Sequence, residues 1–502
     1  MTALYSIAQI RAIEHAAYAE LAPGTLMQRA GAAACEAALG LLPATRMETR
    51  VLVLAGPGNN GGGDALVAAS LLAQQGIAVS VFLHGDPARY SPEAQQAYGQ
   101  AKNSSVRWIK SNDDIDATPW SLVIDGLFGI GLQRPIAAPM HGLIQDINQL
   151  SCPILALDVP SGLNADTGVV GGESGIAVRA THTISFIADK PGLHTADGQD
   201  HAGRVQVANL GIEAKHFMPA QAQLNGCELF SSLLLPRRQN SHKGTYGDVA
   251  VIGGAAGMGG AVLLAARAAL YCGAGRAIAG FLEQAPAFDV LHPELMCRAA
   301  DNIALDQASV VIGPGLGTSD AARALLETAL ESDSPLVIDA DGLNLIAAHK
   351  DLSAPLIQRP LPAILTPHPL EAARLLGISA AAVQSDRLQA ARQLASRFHS
   401  IVILKGSGSV IAHPDGQVSI NTTGNPGLAT PGSGDVLAGM AGALLSQHKM
   451  PWEAALAAAW LHGKAADELV KQGIGPVGLT AGEIAPQARR LINQLTARAA
   501  AQ

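Results

Sequence analysis

The sequence has no pair of cysteines at CxxC spacing, no excess of positive charge and no apolar run long enough to span a bilayer. Its five cysteines, Cys35, Cys152, Cys227, Cys272 and Cys297, are widely scattered, which fits buried or inert thiols in a reducing compartment. Lys and Arg number 33 against 41 Asp and Glu, a formal net charge of -8. That balance argues against nucleic acid as a partner, because non-specific binding relies on neutralising phosphates. An anionic substrate must instead be held by local groups, such as glycine-rich backbone amides. The most apolar stretch, residues 261–282, is interrupted by Arg267 and Arg276 and reads as a buried helix and strand, so no membrane span is expected. The opening MTALYSIAQIRAIEH lacks the charged-then-apolar order of a secretory signal, and the expected location is the cytoplasm.

What is present is glycine, 54 residues, with 28 prolines, a supply that suits many tight strand–helix turns better than disorder. At ~100–200 residues per domain, the length predicts two or three domains. Short aliphatic runs at 51–55, 79–83, 122–125, 154–158, 183–186 and 205–210 alternate with Ala/Leu-rich helical stretches. That alternation implies a parallel sheet covered on both faces. Ahead of it, residues 7–42 read as two helices broken at Pro23-Gly24. A second series follows at 249–253, 277–281, 310–313, 336–339, 363–366, 401–405 and 410–412. Residues 213–239 lack a clean period, so the boundary is expected near 225, with domains over 1–220 and 225–502.

Ligands of open α/β sheets collect at the carboxyl ends of strands. Three such ends carry polar or glycine-rich sequence: GPGNNGGGDAL (56–66), DGLFGIGLQRP (125–135) and DVPSG (158–162). Glycines ahead of a helix let backbone amides approach a phosphate, although a tight turn alone also needs them. Carboxylate, amide and hydroxyl oxygens at successive strand ends suit a hard cation. In this order and spacing, GPGNNGG, DGLFG and DVPSG resemble the NAD(P)H-hydrate epimerase family, over about residues 1–215. The resemblance implies a Rossmann-like three-layer fold and a potassium site at Asn60, Asp125 and Ser161. It also implies that the hydrated cofactor is lined by Asn60, Gly61, Gly62, Gly63 and Asp64 and by Gly129, Ile130, Gly131, Leu132, Gln133, Arg134 and Pro135. Asp158 is implied as a substrate contact and as the acid/base at ring carbon 6. The family usually has NNGGDG where this chain has NNGGGDA, an extra glycine that bears on Gly63 and Asp64.

Farther on, NTTGNPGLATPGSGDVLAGMAGALL (421–445) sets a glycine-rich turn directly before an apolar helix, with Asp435 at its start. One reading is an ordinary capped helix. The other is an anion hole of the Gly432, Ser433 and Gly434 amides beside a carboxylate base, which is much of what phosphoryl transfer needs. The GSGD turn resembles the ribokinase-like superfamily. With HKGTYGDVAVIGGAAGMGGA (242–261), GPGLG (313–317), VIDADGLN (337–344), LTPHPLEAARLLG (365–377) and LKGSGS (404–409), it resembles the ADP/ATP-dependent NAD(P)H-hydrate dehydratases, over about 230–495.

That resemblance implies a C-terminal ribokinase-like α/β domain. Lys405, Gly406, Ser407, Gly408, Ser409 and Gly434 would hold the nucleotide; Ala261, Gly317, His368 and Asp435 would hold the hydrated nicotinamide. Asp435 would be the base. Read on the residues alone, His368 is either structural or a ligand, and Lys405 either a surface lysine or a phosphate contact. Asp339, Asp341 and Glu371 either meet magnesium through water or cap helices.

The joint expectation is a bifunctional enzyme that epimerises R- and S-NAD(P)HX and dehydrates the S form with ADP or ATP, ADP being favoured by the fused layout. It would use K+ in the first domain and Mg2+ in the second, and the resemblance implies a homo-oligomer. Two rivals stand beside it: a ribokinase-like vitamin or sugar kinase with an N-terminal binding module, and an N-terminal domain that only binds protein or RNA. The choice between NADHX and NADPHX is not legible.

Overall fold

Two compact units divide the chain in the computed structural model, Thr2–Ala222 and Gln223–Gln502. The residues described are 2–43, 48–110, 115, 118–132, 134–172 and 174–501.

The first unit opens with β1 (Ala3–Leu4) and two helices, Ile7–Tyr18 and Thr25–Leu41. Ser6 and Gln9 close a reciprocal capping box on the first helix. Gly24, at φ 79°, takes the left-handed turn between the two helices that only glycine adopts without cost. Seven strands follow: β2 (Arg50–Ala55), β3 (Ala78–Leu83), β4 (Arg107–Ile109), β5 (Leu122–Gly126), β6 (Ile154–Leu157), β7 (His182–Phe186) and β8 (Arg204–Ala208). All pair in parallel, in the order β4-β3-β2-β5-β6-β7-β8. Counted from β2 this is the Rossmann order, with the chain reversing direction across the sheet between β2 and β5.

Side chains alternate across β2. Val51, Val53 and Ala55 pack toward the two opening helices and the helix Asp64–Gln74, whereas Leu52 and Leu54 pack toward Met140–Ile147. Each fully buried Leu or Val of that kind contributes ~1.5–3 kcal/mol, which is why so apolar a strand settles in the middle of the sheet.

The second unit is built on another sheet. Its strands are β10 (Asp248–Gly253), β11 (Arg276–Phe281), β12 (Met296–Ala299), β13 (Ser309–Ile312), β14 (Leu336–Ile338), β15 (Ile364–Leu365), β16 (Ile401–Leu404), β17 (Ser409–Ala412) and β18 (Val418–Asn421); a short β9 (Ala222–Leu224) precedes them. They lie in the order β18-β17-β16-β15-β14-β13-β10-β11-β12. Pairing is parallel from β16 to β12, and β17 and β18 close one side as antiparallel hairpins. Here the direction of winding reverses between β10 and β13. The apolar helix Ser433–His448 approaches Gly259–Tyr271 so closely that a Cβ on Gly439 would sit 2.0 Å from the Ala265 carbonyl oxygen.

Both units are therefore α/β, with helices over mainly parallel sheets. The helices at Ile7–Tyr18 and Thr25–Leu41 are those expected on either side of Pro23-Gly24. Strands β4, β12 and β18 were not expected. Their sequences, RWI, MCRA and VSIN, mix polar with apolar residues and carry no aliphatic run.

Candidate active sites

At the first switch point the extra glycine has a definite place. Asn59–Gly63 forms one π turn, with the Gly63 amide reaching back five residues to the Gly58 carbonyl at 3.3 Å, and the helix Asp64–Gln74 continues from it. Gly61 lies against the Gly126 backbone, Gly62 against the Gly56 carbonyl (a Cβ would meet it at 1.9 Å) and Gly63 against the Met27 side chain. All three glycines are thus packing positions. Gly61 also lines a cavity of about 430 Å³ with Gly129, Ile130, Gly131 and Leu132. Arg134 is exposed, and Pro135 lies against Gly172, lining a separate shallow hollow. The Asn60 side chain and Gln133 lie outside the described residues.

Glu14 joins this cavity to a second of about 330 Å³, lined also by Tyr18, Asp64 and Asp158. Asp158 directly follows β6 in a left-handed conformation, φ 68°, unusual for a residue with a Cβ. Its Oδ1 accepts from the Lys190 ammonium at 2.6 Å and from the Phe186 amide at 3.0 Å. Lys190 is fully buried and also donates to Ser185 Oγ and to the Phe186 and Ala188 carbonyls. Backbone strain of this kind clusters at functional sites, and here it coincides with a buried ion pair at a cavity wall. Burial, with the charges of Asp158 and Glu14, holds the Asp64 carboxyl well above the usual carboxylate range.

Asp125 is the penultimate residue of β5 and has no exposure. It accepts from the Ser161 amide (2.8 Å), the Ser161 hydroxyl (2.6 Å) and the Leu127 amide (3.2 Å), and the Ser161 hydroxyl also lies 3.2 Å from the Phe128 carbonyl. Burial pushes the Asp125 pKa up in spite of these bonds. Carboxylate, hydroxyl and carbonyl oxygens therefore meet around a buried charge, and among the described residues its hydrogen-bond donors are all neutral.

In the second unit, Lys405 at the end of β16 is no surface lysine. Its ammonium lies 2.8 Å from Asp339 Oδ1, at the end of β14, and a Cβ on Gly434 would sit 3.3 Å from it. Burial pulls the Lys405 pKa down, but Asp339, Glu371 and Asp435 outweigh it and leave it raised. Asp435 stands in the first turn of Ser433–His448, where the helix dipole favours a negative charge, and the start at Gly432 (φ 86°) has no side-chain cap. Burial, then Asp339 and Asp341, push the Asp435 carboxyl up to about 6 against the pull of Lys405.

Asp341 accepts from the Gly317 amide at 2.8 Å, fixing the glycine loop after β13, and Ala261 approaches the same loop at Gly315. His368 caps the helix Pro369–Leu376: its Nδ1 accepts from the Leu370 and Glu371 amides, so Nε2 carries the proton, 3.2 Å from Glu371 Oε1. Glu371 returns the bond by accepting from the His368 amide at 2.8 Å. Gly406, Ser407 and Gly408 form the hairpin between β16 and β17, closed by the Ser409 hydroxyl on the Gly406 carbonyl at 3.0 Å.

Sequence reasoning missed Lys190 and His462. Lys190 follows β7 in an ADKPG stretch, and reading every strand end for charge, as at β5 and β6, would have flagged it. His462 is buried in the helix Pro451–Lys471, and its Nε2 donates to the Ser433 carbonyl at 2.9 Å, beneath the GSGD turn. Burial lowers its pKa to about 4, so the ring is neutral at ordinary pH. A histidine inside an Ala-rich helix carries no local signal of this role.

Comparison with known proteins agrees with the two-part layout. The family model for NAD(P)H-hydrate dehydratase matches residues 249–487, and that for the YjeF-related protein N-terminus matches residues 23–192. A bifunctional NAD(P)H-hydrate repair enzyme of Coxiella burnetii is 41% identical over 98% of this chain and 100% of its own. One from Escherichia coli is 37% identical over 93% and 89%. An ADP-dependent (S)-NAD(P)H-hydrate dehydratase of Neisseria meningitidis is 47% identical over 53% of this chain and 92% of its own. Among solved structures, an ADP/ATP-dependent NAD(P)H-hydrate dehydratase of Bacillus subtilis, co-crystallised with ATP and Mg2+, aligns at 29% identity and TM-score 0.48 over 54% of this chain and 98% of that one. Matched nearly end to end at 41% identity, with both family regions in sequence, this chain belongs to the bifunctional NAD(P)H-hydrate repair enzymes.

Proposed function

We propose that the first unit interconverts the R and S forms of hydrated NAD(P)H and that the second dehydrates the S form with ADP or ATP. The observation that carries the reading is the meeting of Asp435, Lys405 and Gly434 at the sheet end, where a carboxylate base and an ammonium flank the start of a helix. Asp435 takes the proton of the C6 hydroxyl as that oxygen attacks the terminal phosphoryl group. Phosphate then leaves C6, pushed by the ring-nitrogen lone pair, and loss of a C5 proton restores the double bond. Lys405, with the amides of the 405–409 hairpin and of Gly434, steadies the phosphates. ADP is the favoured donor, in keeping with the name of the Neisseria relative. Recovery of 340 nm absorbance from mixed-epimer NADH hydrate, with and without nucleotide, tests both activities. A stable phosphorylated product without recovery would favour the small-molecule kinase instead.

Asp339, Glu371 and Asp435 surround a single lysine, so the pocket repels phosphates unless a cation arrives with them. Among the described residues no three acidic, histidine or cysteine groups form a metal cage. Both facts suit Mg2+, which keeps its waters and binds through substrate phosphates with one or two carboxylates. There it would neutralise charge developing on the phosphoryl oxygens.

Asp435 must be ionised to act, and its pKa is raised. The active form is therefore lost as pH falls, and kcat/KM for dehydration should drop through about pH 6. A limb near pH 4, where an unperturbed Asp titrates, would contradict the role; the usual value is ~3.9.

In the first unit, Asp158 is the proton-transferring group, held by Lys190 at the cavity wall. The buried Asp125 carboxylate, the Ser161 hydroxyl and the Phe128 carbonyl form an all-oxygen donor set that suits K+. Bound there, the ion would balance a buried charge and tie the loop after β5 to DVPSG. Replacing K+ by Li+ at constant ionic strength should slow epimerisation several-fold and leave S-hydrate dehydration unchanged; an unaffected epimerase rate would remove K+ from the mechanism.

A further inference from the structure

The helix Pro451–Lys471 holds the segment that runs from the end of β18 to the GSGD turn. The Thr423 hydroxyl donates to the Trp460 carbonyl at 3.0 Å. Asp467 accepts from the Gly424 amide at 3.1 Å and from the Asn425 side-chain amide at 3.0 Å. Gly463 makes this approach possible, since a Cβ there would sit 2.4 Å from the Thr423 carbonyl oxygen. His462 takes the far end of the segment, with its Nε2 2.9 Å from the Ser433 carbonyl oxygen. A carbonyl only accepts, so Nε2 carries the proton. The Ser433 hydroxyl is tied as well, donating to the Leu428 carbonyl at 2.8 Å.

We propose that His462 is a positioning residue for phosphoryl transfer, aiming the Gly434 amide at the phosphoryl group by gripping the other end of the same peptide unit. The proposal rests on the dehydratase reading of this site. A trans peptide is planar, with its C=O and N–H on opposite sides, so fixing the Ser433 carbonyl fixes the direction of the Gly434 N–H. A hydrogen bond to the carbonyl also polarises the unit and makes that N–H a stronger donor. The amide stands in the first turn of Ser433–His448, where N–H groups have no intrahelical acceptor. It lies beside the phosphate-contacting lysine, because a Cβ on Gly434 would sit 3.3 Å from the Lys405 ammonium. The imidazole is 8% exposed, and burial, with the charge of Lys405, lowers its pKa to about 4. His462 therefore orients the amide as a neutral donor. An apolar side chain would fill the same place with no polar group to desolvate, so packing alone does not call for a histidine.

The test is steady-state dehydration and thermal melting of wild type, H462L and H462Q. Leucine fills the place without a donor, and glutamine keeps an N–H at similar reach. In H462L kcat should fall about tenfold, less than the ~10²–10³ lost when such a donor is removed altogether, while KM for nucleotide and hydrate moves less. H462Q should recover most of the rate. A folded H462L with a lower Tm but an unchanged kcat would overturn the proposal, leaving a purely structural bond. Should H462L fail to fold, H462N decides, since its shorter side chain stops short of the Ser433 carbonyl: a lowered kcat supports the role and an unchanged one overturns it. A further readout needs no turnover. Aluminium fluoride with Mg2+ and AMP or ADP mimics the phosphoryl group in transfer, and the extra rise in Tm it gives over nucleotide and Mg2+ alone should shrink in H462L and persist in H462Q. Wild-type enzyme without nucleotide-dependent recovery would sink the dehydratase reading itself, and the fluoride-dependent rise in Tm would still decide on His462: smaller in H462L upholds the role, unchanged overturns it.

Discussion

Asp435→Asn should lower nucleotide-dependent dehydration by ~10²–10⁴, the usual contribution of a positioned base. Its Tm should stay level or rise, because the carboxyl is raised to about 6 by burial and by Asp339 and Asp341, so its charge is a burden on the fold. Nucleotide binding, read by the shift in Tm, should survive or improve as one negative charge leaves the pocket. Separating catalysis from binding in this way identifies a base. A fall in rate matched by loss of nucleotide binding would make Asp435 a ligand, and near wild-type turnover would remove it from the mechanism.

The second large effect concerns Asp158. Removing its charge should slow R-hydrate repair by ~10² or more and leave S-hydrate repair intact, because the S form goes directly to the second unit. Asn is the better substitution than Ala. Asp158 is the carboxylate bonded to the Lys190 ammonium at 2.6 Å with both groups buried, and truncating one partner of such a pair costs ~3–5 kcal/mol. Asn keeps an oxygen for the Phe186 amide and for Lys190, so activity can be read above the loss of stability. Equal loss on both epimers would mean that the two activities do not occupy separate sites.

Much of this was legible in the sequence, for a physical reason. Both sites sit where central strands end, the first beside the reversal of winding at β2 and β5 and the second along the ends of β14 to β16. Central strands are buried on both faces, so they read as short aliphatic runs, and the residues just after them stand out as glycines and carboxylates. GPGNNGG, DGLFG and DVPSG are legible in that way, whereas GSGD stands out as a glycine-rich turn directly before an apolar helix. The hidden residues owe their roles to distance. Lys190 reaches Asp158 across 32 positions of sequence. His462 reaches the Ser433 carbonyl across 29. His368 shows the opposite limit. Its TPHPLE setting pointed to a ligand, whereas its Nδ1 is spent on capping amides, and only the Nε2 edge beside Glu371 remains to meet a substrate. Edge strands such as β4 and β12 escape notice because solvent on one side relaxes the demand for apolar residues.

The π turn at Asn59–Gly63 has one more consequence. An α-helix turns about 100° per residue, so one residue added within an ordinary first turn would rotate the buried side chains of the helix Asp64–Gln74 out of their places in the core. The wider turn takes up the added residue before the helix proper begins, and Asp64 still enters the cavity beside Asp158. Loop length and helix phase are thereby uncoupled: the loop carries one residue more while the hydrophobic seam behind it stays in register.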